Sequence, residues 1–170
     1  TLYSHGVRRM AFDASYTTEA IIGSLVCFSE EVAFDLCKHQ IQVSTNPVAK
    51  RILTLILTDE ARHCAFGWDY LEHRVPRMSK QEIADLQKGI EAFVDTVEIQ
   101  GYHHAWLKPD SAASRAEINA NRLTAEAGLG ASIEEWEKPI LVDSIDRIRT
   151  RMKDFGFTLK SFHAPKLGRC

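Results

Sequence analysis

Two side chains able to hold a metal stand three residues apart at Glu60 and His63, and a third, Glu30, lies thirty residues upstream of Glu60. On a helix, the i, i+3 spacing turns a carboxylate and an imidazole the same way. That pair suits one metal ion held by an oxygen and a nitrogen. Both fall among the apolar positions Leu53, Ile56, Leu57, Cys64 and Gly67. A Glu or His on such a face needs a partner, because burying either alone costs several kcal/mol. Around Glu30, the residues three, four and seven away are Gly23, Val26, Cys27, Ala33, Phe34 and Cys37, all small or apolar. Around Glu31 they include Ser24, Asp35 and Lys38, so Glu30 is the inward acid of the two. A turn centred between Thr45 and Asn46 leaves Glu30 and Glu60 about equally far from it, roughly 22 Å at 1.5 Å per residue. An antiparallel hairpin would then bring Glu30, Glu60 and His63 to one level. The competing reading makes them structural: an acid paired with Arg62 and a hydrogen-bonded core histidine in a metal-free helical interaction module.

The elements that must carry these groups read as helices nearly throughout. The pattern predicts helices over 15–40 and 47–73, the second opened by Asn46 as N-cap with Pro47 at the first helical position. Ser79 and Glu82 form a capping box ahead of Ile83, Leu86, Ile90, Phe93 and Val97, which recur at three and four. Asp110 or Ser111 caps an Ala-rich helix that stops at Gly128. Ser132 with Glu135 reads as a second capping box, for a helix fading near Gly156. These five helices give an all-α bundle. One domain is expected, with 1–14 a connector, 15–107 the core helices and 108–170 a C-terminal helical extension whose end, 155–170, is a flexible tail or a lid.

Length and charge agree with this and exclude other classes. The chain has 170 residues, 21 Lys and Arg against 23 Asp and Glu, and a net charge of −2, so nothing in it favours nucleic acid. No apolar run is long enough to span a bilayer, and no secretory pattern is visible. Cys27, Cys37, Cys64 and Cys170 form no CxxC and read as buried small residues, which favours a reducing cytoplasm.

Asp59-Glu60-Ala61-Arg62-His63 resembles the D-E-x-R-H signature of ferritin-like carboxylate di-iron proteins, and Phe28-Ser29-Glu30-Glu31-Val32-Ala33-Phe34 resembles the partner helix of that signature. The likeness spans 28–70. In that family a Glu from each of two helices and a Glu-x-x-His from each of two others hold the metals. The resemblance implies a ferritin-like bundle with two iron ions, manganese being the alternative metal, and Glu30, Glu60 and His63 as ligands. Asp59 would orient a histidine of the opposite half-site, and Arg62 would pair with nearby acids. The implied activity is O2 activation for the oxidation, hydroxylation or desaturation of a small organic or acyl substrate, in a pocket lined by Cys27, Phe34, Cys37 and Ile56. The electron donor is open. An iron-storing or peroxide-scavenging protein like ferritin or rubrerythrin is the alternative within the family.

The sequence departs from the family in showing half of the set. No second Glu-x-x-His occurs. Glu19 has no His partner, Glu98 and His103 stand five apart, and His5, His103 and His104 read as ordinary, the latter two as helix C-terminal charges. The expected source of the other half is a helix pair upstream of Thr1, then a second copy in a homodimer; a degenerate site is the third reading. Ile56 stands one turn before Glu60 where N-oxygenating members carry an extra His, and no Tyr sits at helical contact spacing from Glu30 or Glu60, which argues against radical storage. Trp68, Trp106 and Trp136 read as core or interface. The acids Glu134, Glu135 and Glu137 with Arg147, Arg149, Arg151 and Lys153 match the dipole of one helix.

Overall fold

A computed structural model describes residues 16–170. The 1–14 connector and His5 lie outside them. The fold is all-α: among the described residues there are five helices, short 3-10 turns and, at residues 163–169, one hairpin of two-residue strands. Helix α1 is continuous over 18–43, α-helical at Thr18–Ile21, π-helical at Ile22–Ser29 and α-helical again at Glu30–Val43. Helices α2 (Pro47–Arg74), α3 (Lys80–Thr96), α4 (Ala112–Glu126) and α5 (Glu134–Asp154) follow. Strands β1 (His163–Ala164) and β2 (Gly168–Arg169) pair antiparallel.

Local chemistry sets most of these boundaries. The Asn46 side chain accepts from the backbone N–H groups of Val48 and Ala49 at 2.9 and 3.1 Å, with Pro47 at the first position. Ser79 and Glu82 close the expected capping box, and Ser111, rather than Asp110, caps α4 in a reciprocal pair with Ser114. The expected box at Ser132 does not form. Ile133 is the N-cap of α5, without a side-chain hydrogen bond, and the buried Ser132 hydroxyl has no partner among the described residues. Three acids in the first turn stabilise that N-terminus instead.

Helix α1 is the central element. Helix α2 packs along it as an antiparallel hairpin, while α3 and α5 take its other sides. The core gathers Phe28, Val32, Trp68, Leu71, Ile90, Ile145, Ile148 and Met152 around it. The α1–α2 turn is held from outside by the end of α4, where the Gly128 carbonyl accepts from the backbone N–H groups of Thr45 and Asn46 at 2.9 and 3.0 Å. Residues 155–170, expected as a tail or lid, are packed structure. Phe157 and Phe162 are fully buried, and Phe162 meets Phe28 edge-on at 6.2 Å. Large apolar side chains close to the end of α5 leave no reason for this segment to float.

The candidate metal centre

Glu30, Glu60 and His63 come together. One oxygen or nitrogen from each lies within 4.8 Å of the others. His63 Nδ1 is 3.2 Å from Glu60 Oε2 and 3.6 Å from Glu30 Oε2. The hairpin produces this level match, since both acids stand about four turns from the 44–46 turn. The adjacent Glu31 faces elsewhere: it accepts from Trp68 Nε1 at 2.6 Å and pairs with Arg147 and Arg151. That network, extended by Asp35 to Arg147 and Ser144, ties α5 to α1. The bases expected to serve only the dipole of α5 also serve this junction.

Electrostatically the trio behaves as one unit. Burial, then the hydrogen bond with and charge of Glu60, pushes the Glu30 carboxyl up to about 7. A protonated Glu30 donates toward Glu60, and that bond with His63 holds Glu60 below its usual range. The hydrogen bond to Glu60 raises the His63 imidazole. With Glu30 raised and Glu60 lowered, the trio is an acidic nest able to exchange protons for a cation.

The surroundings differ from the expected apolar interior. The His63 side chain is 53 % exposed and Ile56 is 43 % exposed. Two stripes run along α2, and they have different fates. Leu53, Leu57, Glu60, Cys64 and Gly67 turn toward α1, whereas Val48, Ile52, Leu55 and Phe66 are exposed, Phe66 by 58 %. Among the described residues α2 packs chiefly on α1, so Ile56 and His63, at the border of the two stripes, meet solvent. The four residues expected to line a pocket are spread out. Cys27 is buried at the α1–α2 contact against Gly67, and Cys37 gives its thiol to the Leu53 carbonyl at 3.3 Å. Phe34 lies half-buried under the Lys38 ammonium, and Ile56 is outside. Burial pushes the thiols of Cys27, Cys37 and Cys64 up, as suits packing residues. Asp59 and Arg62 pair with one another at 2.8 Å on the exposed surface. Glu19 bonds Arg74 and Tyr70, away from the trio.

The pair dismissed on spacing is a real contact. Helix α3 ends at Thr96, a 3-10 turn covers Glu98–Gln100, and Gly101 takes φ +96°. The reversal lays His103 Nδ1 2.9 Å from Glu98 Oε1. Glu98 is fully buried and also accepts from Ser29 Oγ at 2.8 Å. The charges of Glu30 and Glu60 reach His103, and Glu30's reaches Tyr102. Spacing along one helix cannot find such neighbours; the signal was a Gly between an acid and a histidine after an amphipathic run, where only Gly takes a left-handed turn freely. His104, the other histidine read as ordinary, pairs with Glu137 at 3.0 Å, and Trp106 Nε1 donates to the same oxygen.

What the fold and site define is an all-α chain carrying a carboxylate–carboxylate–imidazole cluster on a helix hairpin. No family model, curated protein or solved structure matches the chain.

Proposed function

We propose that this chain carries half of a carboxylate-bridged di-iron centre in an enzyme that uses O2 to oxidise a small organic or acyl substrate. The observation behind this reading is the convergence of Glu30, Glu60 and His63 within 4.8 Å from two antiparallel helices. The donors fit iron or manganese: two hard oxygens and one nitrogen, with the remaining coordination open. Two iron ions would supply the reductive activation of O2. The chain's own groups would bind and orient them: Glu60 and His63 from one face of α2 and Glu30 from α1 would hold an ion, and a proton held on Glu30 would leave on its binding.

The remaining ligands would come from a second helix pair, in a longer polypeptide, lying on the exposed stripe of Val48, Ile52, Leu55 and Phe66. Val48, Ile52 and Leu55 recur at four and three, and Phe66 returns to that face three turns on, past the Asp59–Arg62 pair, in the form of an interrupted helix-packing seam. A cover there would also dry Ile56 and His63, which an oxidation chamber requires. A metal-free helical module is the second reading, and one feature favours it: His63 Nδ1 already has Glu60 Oε2 as a hydrogen-bond partner at 3.2 Å, with Glu30 Oε2 beside it at 3.6 Å.

Equilibrium dialysis with Fe(II) under argon, or with Co(II), separates the two readings. The metal reading expects a stoichiometric ion in the wild type and loss of it in Glu60→Gln and His63→Gln. Absence of bound ion in the wild type, with Glu60→Ala neutral or stabilising, leaves only the helical module. Sedimentation with metal present distinguishes a homodimeric completion of the site, in which two chains share the ions.

A further inference from the structure

The exposed face of α2 is ordered in charge as well as in apolar residues. Ile52, Leu55, Asp59, Arg62, Phe66 and Asp69 follow one another at three, four, three, four and three, which keeps them on one stripe. All six are exposed, Ile52, Leu55 and Phe66 by more than half. Contiguous apolar side chains left open in this way mark a surface that another chain covers.

The stripe is also its own complement. Its midpoint falls between Asp59 and Arg62, and the spacing is the same from either end. Turned end over end about that point, Asp59 comes opposite Arg62 and Leu55 opposite Phe66. Asp69 comes opposite Ile52, beside Arg51. The flanks follow the same rule. Lys50 and Arg51 make one end of the exposed face positive, and Asp69 and Glu72 make the other negative. Arg74, at the acidic end, is turned away to Glu19 and Glu82. A parallel copy would set like charges together, whereas an antiparallel one sets opposite charges together. An unrelated partner requires no such symmetry. A twofold interface does, because each residue must meet a second one that meets it in return.

We propose that two copies of this chain pair through α2, antiparallel about a twofold axis that passes between Asp59 and Arg62. The seam from Ile52 to Asp69 is about 26 Å long at 1.5 Å per residue. Asp59 and Arg62, 2.8 Å apart on one helix, alternate in sign with the same two residues of the second copy. Leu55 packs on the second copy's Phe66 on both sides of this centre. Glu60 stands within one residue of the midpoint, so the trios of the two copies come to one level. The pairing goes beyond the metal reading and does not need it. Where both hold, the second copy's α1 and α2 serve as the covering helix pair, in place of one from a longer polypeptide.

Sedimentation of the full chain in EDTA, over a wide range of concentration, reads the pairing without metal. The wild type is expected to pass from monomer to dimer. Phe66→Glu is expected to stay monomeric with an unchanged circular dichroism spectrum, since its side chain is exposed in the single chain. Asp59→Arg and Arg62→Asp should each weaken self-association by about tenfold, because each sets four like charges around the axis. An equimolar mixture of these two should pair as tightly as the wild type, since opposite charges face one another again, and a misfolded variant could not be rescued so. Asp69→Lys should also weaken the dimer by facing Arg51; an unchanged dimer there would overturn the antiparallel order. A wild type that is monomeric at every concentration, a Phe66→Glu chain that still dimerises, or a mixture that stays monomeric overturns the pairing and leaves the stripe to a helix pair of another polypeptide. A metal-free dimer that binds no Co(II) supports the pairing and removes the metal reading alone.

Discussion

At the scale of single residues, the trio's proton affinities predict how stability follows pH. Glu30 binds its proton more tightly in the fold than at its usual value of 4.5, holding it up to about 7. The stability from that proton is complete below 4.5 and is lost as pH rises through about 7. His63, raised above 6.5, loses its contribution in the same direction. Glu60, held below 4.5, stabilises above that value and loses its share only in acid. The metal-free chain should therefore show a thermal midpoint that falls between pH 5 and pH 8, with a smaller fall in Glu30→Gln. A midpoint that rises over this range would contradict the burial of Glu30 beside Glu60. Saturating Co(II) should reverse the trend, because the cation takes the place of the protons.

At the scale of elements, the α1–α2 hairpin decides whether there is a site at all, and Gly67 decides how closely its helices approach. A Cβ there would stand 2.9 Å from both Cys27 Sγ and Val26 Cγ1, and 3.2 Å from the Val26 backbone. Backbone cannot retreat as a flexible side chain can. Gly67→Ala should cost about 1–3 kcal/mol in chemical denaturation and should weaken metal binding, since the spread also parts Glu30 from Glu60. Equal stability of the variant and the wild type would show that the helices can slide apart freely. The hairpin was legible because its signals are local: Asn46 with Pro47 at the turn, and acids at equal distances from it. The π-helical segment Ile22–Ser29 was not legible. Its apolar residues fit an α pattern equally well, and the choice between the two hydrogen-bonding schemes is made by packing: Gly23 lies against Ile90 and Leu86 of α3, and Ser29 reaches Glu98.

At the scale of the whole molecule, one end of the chain is far better sealed than one of its faces. Residues 157–170 close the core over Phe28, so Phe162→Ala should cost about 3–5 kcal/mol of unfolding free energy. A cost below 1 kcal/mol in a urea titration would mean that the segment is a loose appendage. The face of α2 that bears Ile52, Leu55 and Phe66 is open by contrast, and the candidate metal donors lie along its edge. No helix among the described residues is long and apolar enough to cross a membrane.

The helical class, the caps at Asn46 and Ser79, and the meeting of Glu30, Glu60 and His63 were legible in the order of residues alone, because helix periodicity and rise per residue are properties of the local backbone. Packing in three dimensions settled which of the two apolar stripes of α2 is covered, that Ser111 rather than Asp110 caps α4, that Glu98 and His103 answer one another across a glycine turn, and that the final residues belong to the core. Those outcomes depend on which surfaces distant segments bring into contact, and a residue's spacing along its own helix carries no record of its neighbours across the fold.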